Sequence, residues 1–132
     1  MCIRDSSKST SMASSENLLK NLKNVYWILC GIPKKGDKFN LTKLQCKNFK
    51  GYIFGKHQIE FSKNLKNKLT IKKFKNLKDT LNQIFLEIKY NKGEKNTILF
   101  SPAGASFDNF KNFEDRGLYF NKMIKKYLNA NR

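Results

Sequence analysis

The sequence predicts an α/β fold: a Rossmann-like, doubly wound and mostly parallel sheet with helices on both faces. Three observations lead there. Short apolar runs rich in β-branched and aromatic residues alternate along the chain with stretches whose apolar residues recur at helical spacing. Alternation of this kind builds β-α-β units, whose crossovers stack helices on a parallel sheet. At 132 residues the chain suits one domain, able to bury about two-thirds of the surface its unfolded form exposes.

The elements follow in order. Ser14 can cap a helix running to Leu22, with Leu18, Leu19 and Leu22 on one face. Residues 25–30, Val-Tyr-Trp-Ile-Leu-Cys, read as a buried strand. A Gly/Pro/Lys loop comes next, then a short helix around Leu41 to Cys46. Residues 51–55 form the next strand and 59–66 a helix, with His57 at the surface in the polar turn between them. Residues 69–74 form a third strand. Leu77, Leu81, Ile84, Phe85 and Ile88 mark a helix with a clear apolar stripe. Residues 97–100 are the fourth strand, and a last helix runs from about Asp108 to Asn129. Residues 1–6 show no strand character; they are expected to be an artefactual or disordered extension, with 7–129 the domain and 130–132 a tail.

Composition narrows the function. The formal net charge is +17, from 27 Lys and Arg against 10 Asp and Glu. Only Arg4, Arg116 and Arg132 are arginines, whereas recognition of phosphates and bases favours the bidentate guanidinium. The lysines are scattered rather than gathered in a stripe, and Asn, Ile and Phe, which share AT-rich codons with Lys, are also abundant. The charge therefore reads as a solvated lysine surface, one that still attracts anionic substrates, and no nucleic-acid partner is expected. No apolar run approaches the roughly 20 residues that cross a bilayer, and no membrane partner is expected. Cys2, Cys30 and Cys46 show no metal-ligand spacing, so neither a metal site nor a disulfide framework is predicted. A reducing cytoplasm fits them best.

The most informative stretch is Ser-Pro-Ala-Gly-Ala-Ser-Phe-Asp-Asn-Phe-Lys-Asn-Phe-Glu-Asp-Arg-Gly, residues 101–117. It joins the strand at 97–100 to a helix in which Phe110, Phe113, Gly117, Phe120, Ile124 and Leu128 share a face. A small-residue turn with Ser106 or Asp108 as N-cap leaves backbone N–H groups free to cradle an anion. Ligands of doubly wound sheets bind beyond the carboxyl ends of the strands, and this turn sits there. So does the loop Gly-Ile-Pro-Lys-Lys-Gly at 31–36.

The 101–117 string resembles the C-terminal domain of the ATP-dependent Mur ligases. Ser-Lys-Ser-Thr at 7–10 and the 31–36 loop agree with that family in the order it requires. The resemblance covers residues 7 to 129. Within the family it is most similar to the branch that adds D-glutamate to UDP-N-acetylmuramoyl-L-alanine in peptidoglycan synthesis. Such an enzyme phosphorylates the UDP-linked carboxylate with ATP, and the D-glutamate amine attacks the acyl phosphate. The resemblance assigns D-glutamate contacts to Thr10, Lys34, Ser106, Phe107 through its backbone N–H, and Phe113. It places Lys8, the one catalytic candidate, near the transferred phosphate; Lys35 competes with Lys34 for the carboxylate. Two departures stand out: Cys30 replaces a glycine usual before Gly31, and Gly104 replaces a residue that is often Cys.

The chain contains no Gly-x-x-x-x-Gly-Lys-Ser/Thr phosphate loop. In the family that loop, and with it ATP and Mg, belongs mainly to a central domain, and the UDP-sugar site to an N-terminal one. The chain accordingly reads as the C-terminal third of a longer enzyme, inactive alone. The alternatives are another amino-acid ligase of the same superfamily and a small basic nucleic-acid-binding module.

Overall fold

The computed structural model of the protein describes residues 2–5, 12–31, 39–90, 96–100 and 113–130. Five strands, β1 (Cys2–Asp5), β2 (Val25–Leu29), β3 (Phe49–Phe54), β4 (Thr70–Phe74) and β5 (Thr97–Phe100), form one sheet in the order β1-β5-β2-β3-β4. Every pairing is parallel, as the alternating pattern predicts. In β2 all five side chains are buried. Val25, Trp27 and Leu29 join one core cluster while Tyr26 and Ile28 join the other. A strand apolar on both sides is what a sheet covered on both faces requires.

The first face is covered by α1 (Met12–Leu19) and α2 (Gln58–Leu65), which contribute Met12, Leu19, Phe61 and Leu65 to its core. The second is covered by α3 (Leu77–Tyr90) and α4 (Phe113–Ala130), which contribute Leu77, Leu81, Ile84, Phe120, Met123 and Ile124. The chain steps outward from β2 to β4 along the first face, then returns through α3 on the second to insert β5 between β1 and β2. Right-handed crossovers demand that change of face when the direction reverses.

Four local expectations are corrected. Residues 2–5 are a strand after all, paired from Cys2↔Thr97 to Asp5↔Phe100. The ladder offered by β5 supplies what so short a segment lacks in pattern of its own, and Ile3 packs on the second core. The first helix begins at Met12, ahead of Ser14, because Met12, Ser15, Glu16 and Leu19 make a buried stripe at helical spacing. Residues 43–48 are a turn and not a helix. Thr42 and Gln45 bond each other's backbone N–H reciprocally, at 2.8 and 3.2 Å, the arrangement that opens a helix. The turn then stops, because Asn48 O accepts Val25 N–H at 3.1 Å and commits the chain to the sheet. For the same reason β3 begins at Phe49, where Phe49 and Lys50 pair with Val25 and Tyr26. The expected start of the last helix near Asp108 lies outside the described residues, which resume at Phe113.

His57 occupies the N-cap position of α2 without a capping hydrogen bond; its Nδ1 instead lies 2.9 Å from Glu60 Oε1 at the surface. No helix among the described residues is long and apolar enough to cross a membrane.

Candidate functional site

In the register of the sheet, Asp5 and Ile28 both lie beside Phe100. The carboxyl ends of β1, β5 and β2 are therefore level with one another along one edge. From that edge the chain leaving β1 runs to α1 on the first face, and the chain leaving β5 runs to α4 on the second. Neighbouring strands whose connections part to opposite faces open a crevice between them, the usual ligand site of such sheets.

The three segments singled out in the sequence all depart from this edge. Lys8 and Thr10 fall between β1 and α1, Lys34 follows β2, and Ser106 and Phe107 fall between β5 and α4. These five residues, with Lys35 and Gly104, lie outside the described residues. Phe113 is the first residue of α4, and its side chain too lies outside them. The sheet thus brings together the strand ends that lead into each segment.

What is described around those ends is tightly built. Cys30, standing where a glycine was expected, is fully buried, forms no disulfide and packs in the second core. The conformational demand of the turn falls on Gly31, whose φ of 97° suits glycine and disfavours a side chain. The substitution at Cys30 is therefore accommodated by packing.

Where the chain re-enters after residues 32–38 it is pinned on every side. Phe39 is buried and stacks on Trp27 at 5.5 Å between ring centroids. Its carbonyl oxygen accepts a hydrogen bond from Lys68 Nζ, and the next backbone N–H, that of Asn40, donates to Glu16 Oε1. Both atoms belong to the Phe39–Asn40 peptide bond. A carboxylate from α1 and an ammonium from the turn before β4 thus hold opposite ends of one peptide dipole. Charge-assisted bonds of this kind are about twice as strong as neutral ones. The Lys68 ammonium also lies 5.3 Å from the centroid of the Phe39 ring. Nearby, burial pushes the Cys46 thiol up from its ordinary pKa, the charge of Lys68 pulls it back, and that of Glu16 adds to the rise.

Sequence reasoning missed Glu16 and Lys68. For Glu16 a signal existed: it falls four residues after Met12 on the apolar face of its helix, where a carboxylate is costly unless partnered. Lys68 is one lysine among many and carries no such signal.

A cleft of about 1080 Å³ opens elsewhere, at the amino ends of β3 and β4, lined among others by Lys43, Cys46, Lys47, Lys66 and Ile71. It lies at the opposite end of the sheet from the three segments. Among the described residues no group of three His, Cys, Asp or Glu comes together to hold a metal ion.

No family model matches the chain. Individual proteins do. It is 38% identical over 120 residues to a UDP-N-acetylmuramoylalanine–D-glutamate ligase of Wolbachia sp. subsp. Brugia malayi (strain TRS), covering 91% of this chain and 24% of that protein. Proteins of the same name from Rickettsia felis and Prochlorococcus marinus (strain MIT 9312) are 33% and 34% identical, over 92% and 98% of this chain. The chain belongs to the family of UDP-N-acetylmuramoylalanine–D-glutamate ligases. It spans about a quarter of the length of these ligases, 24 to 28%. The match runs along nearly the whole chain, so the strand ends that carry the three segments fall within the part shared with the ligases.

Proposed function

We propose that the chain is the C-terminal, amino-acid-binding domain of a ligase that joins the amine of D-glutamate to the carboxyl of UDP-N-acetylmuramoyl-L-alanine. The observation that carries this reading is the convergence of the strand ends leading into residues 6–11, 32–38 and 101–112 at one crevice. The names of the relatives supply the chemistry of the substrate.

D-glutamate brings two carboxylates, so its site needs a cation and preorganised donors. Lys34 pairs with one carboxylate. The Ser106 hydroxyl and the Phe107 backbone N–H hold the other, at the start of the segment leading into α4. Thr10 adds a hydroxyl, and Phe113 an apolar wall at the first residue of that helix. Holding both acid groups fixes where the amine points, which is the domain's contribution to an amide-forming step. Lys8, beside Thr10, places a positive charge where anionic groups gather. ATP and Mg would be held mainly by the part of the enzyme outside this chain, since the sequence carries no phosphate loop.

Two outcomes follow. The isolated chain shows no D-glutamate-dependent phosphate release with ATP and the UDP-linked substrate. By ¹⁵N NMR titration it binds D-glutamate weakly, in the millimolar range, and prefers it to L-glutamate and to diamino acids. Micromolar binding by the isolated chain, or preference for a diamino acid, overturns the reading.

A further inference from the structure

We propose that the cleft at the amino ends of β3 and β4 is a second binding site, for a small soluble anion that carries linked phosphate groups. This goes beyond the D-glutamate reading and does not depend on it. The cleft holds about 1080 Å³, ample for a small molecule. Four of its lining residues are lysines, Lys43, Lys47, Lys66 and Lys68, and none of the lining residues is acidic. Lysines scattered in the sequence are gathered here by the fold. The turn before β3 brings Lys43 and Lys47, and the link from α2 to β4 brings Lys66 and Lys68. The crevice lies at the other end of strands six and five residues long, roughly 16–20 Å away, so the two ligands bind apart.

Both walls are held by backbone hydrogen bonds. The turn is closed by Cys46 N–H on Thr42 O at 3.1 Å and Lys47 N–H on Leu44 O at 3.3 Å. The link is closed by Lys66 N–H on Ser62 O and Lys68 N–H on Leu65 O, both at 2.9 Å. Two of the cations have a local reason to be there. Lys66 follows the carboxyl end of α2, where positive charge is favoured. Lys68 gives one of its three N–H donors to the Phe39 carbonyl, which fixes the ammonium and leaves two donors for a ligand. Lys43 and Lys47 have no such reason, and among the described residues neither they nor Lys66 has an ion-pair partner. Glu16, whose charge reaches Cys46 in the lining, is only 7% exposed and already accepts the Asn40 N–H. Like charges gathered in a concave site focus a field that a multivalent anion relieves best. Linked phosphates set several charged oxygens against separate ammonium groups, and lysine binds phosphate as a point charge. The concavity selects the source as well, because a soluble phosphate compound enters a recess that a bilayer surface cannot follow.

The test is a ¹⁵N NMR titration of the full chain with pyrophosphate, in magnesium-free buffer at about 150 mM salt. Saturable shifts are expected at the amides of residues 43–47 and 66–70. The Kd should be on the order of a millimolar, since exposed charge contacts are screened at that ionic strength. The double variant Lys43→Gln/Lys47→Gln should weaken binding about tenfold, the effect of losing two charge-assisted contacts. Lys125→Gln/Lys126→Gln removes the same charge from α4, on the opposite face of the sheet, and should change the affinity by less than about twofold. All four of these lysines are exposed, so both variants keep the wild-type fold, which their unfolding temperatures check. Equal losses in the two double variants would assign the binding to net charge and overturn the proposal. Shifts that spread over the surface without saturating overturn it too, as does binding to phosphatidylglycerol vesicles with none to pyrophosphate. D-glutamate is titrated separately, and its failure to bind would sink the reading of the crevice while leaving the pyrophosphate result to stand alone.

Discussion

The two faces of the sheet are closed by different materials. On the second face α3 and α4 lie over β-strand side chains as regular helices, and aromatic pairs join helix to strand and helix to helix. Phe100 meets Phe120 at 4.5 Å between centroids, and Phe85 meets Tyr127 at 4.9 Å. On the first face α1 and α2 cover the flanks, while the crossover from β2 to β3 has no helix among its described residues, only irregular chain and a turn. A ring stack, the Glu16 and Lys68 bonds to one peptide and the Thr42–Gln45 pair stand in for it. A helix spreads its support over many repeated hydrogen bonds, and irregular chain depends on a few specific ones. The irregular stretch therefore rests on a handful of contacts, each of which a single substitution can remove.

The sharpest way to break this contrast is to remove one ring from each face. Phe39→Ala and Phe120→Ala are each expected to cost about 3–5 kcal/mol in urea denaturation, because both side chains are buried and leave cavities. A Phe39→Ala cost under about 1 kcal/mol would mean that the irregular stretch is not part of the core. Gly51→Ala probes how closely the first face is packed against the outer strand. An added Cβ there lies 2.7 Å from Ile71 Cδ1 and 3.2 Å from Leu69 Cδ1. Both are ends of flexible side chains, so the expected loss is about 1–3 kcal/mol of thermal stability, toward the lower end. A neutral result would show that the β3–β4 flank has slack.

The second face also carries a polar cluster. Glu87 on α3 accepts hydrogen bonds from Tyr52 and, at 2.6 Å, from Lys72. Burial alone would raise its pKa, but the bonds from Lys72 and Tyr52 and the charges of Lys72 and Lys50 outweigh that and hold it below the usual carboxylate value. A depressed folded-state pKa adds stability that is fully present above the unfolded value, about 4.3, and is lost as pH falls through the lower folded value. Glu87→Gln is therefore expected to cost about 1–1.5 kcal/mol at neutral pH. In a pH series of chemical denaturation that difference should shrink toward zero under acid conditions. A difference independent of pH would assign the effect to packing. Smallest of all, His57→Ala removes only the exposed pair with Glu60 and should change stability by less than about 0.5 kcal/mol.

Which parts could be read from the sequence follows the same contrast. Residues 97–100 were bounded correctly, and the α3 stripe of Leu77, Leu81 and Ile84 is buried as its spacing requires, because periodicity is local information. The edge strand at 2–5 and the two extra residues of β3 depend on a neighbour's ladder, which no local pattern reveals. Leu41 and Cys46 are buried five residues apart, a spacing that suits a turn better than the helix expected there. For the site, the sequence supplied residue types and their order, and the fold supplied the adjacency of the strands that carry them. The bonds from Glu16 and Lys68 to the Phe39–Asn40 peptide span too much sequence to be visible from either end.

The strand order has a further consequence for biosynthesis. β5 lies between β1 and β2, yet it is the last of the described strands to be made. On a ribosome adding about 5–20 residues each second, β2 waits on the order of several seconds for its inner neighbour, and β1 longer. During that interval two strand edges destined for the middle of the sheet stand bare, the kind of surface that recruits chaperones or sticks to other chains. Closure of the sheet and completion of the crevice then become a single late event, triggered when residues 97–100 clear the exit tunnel.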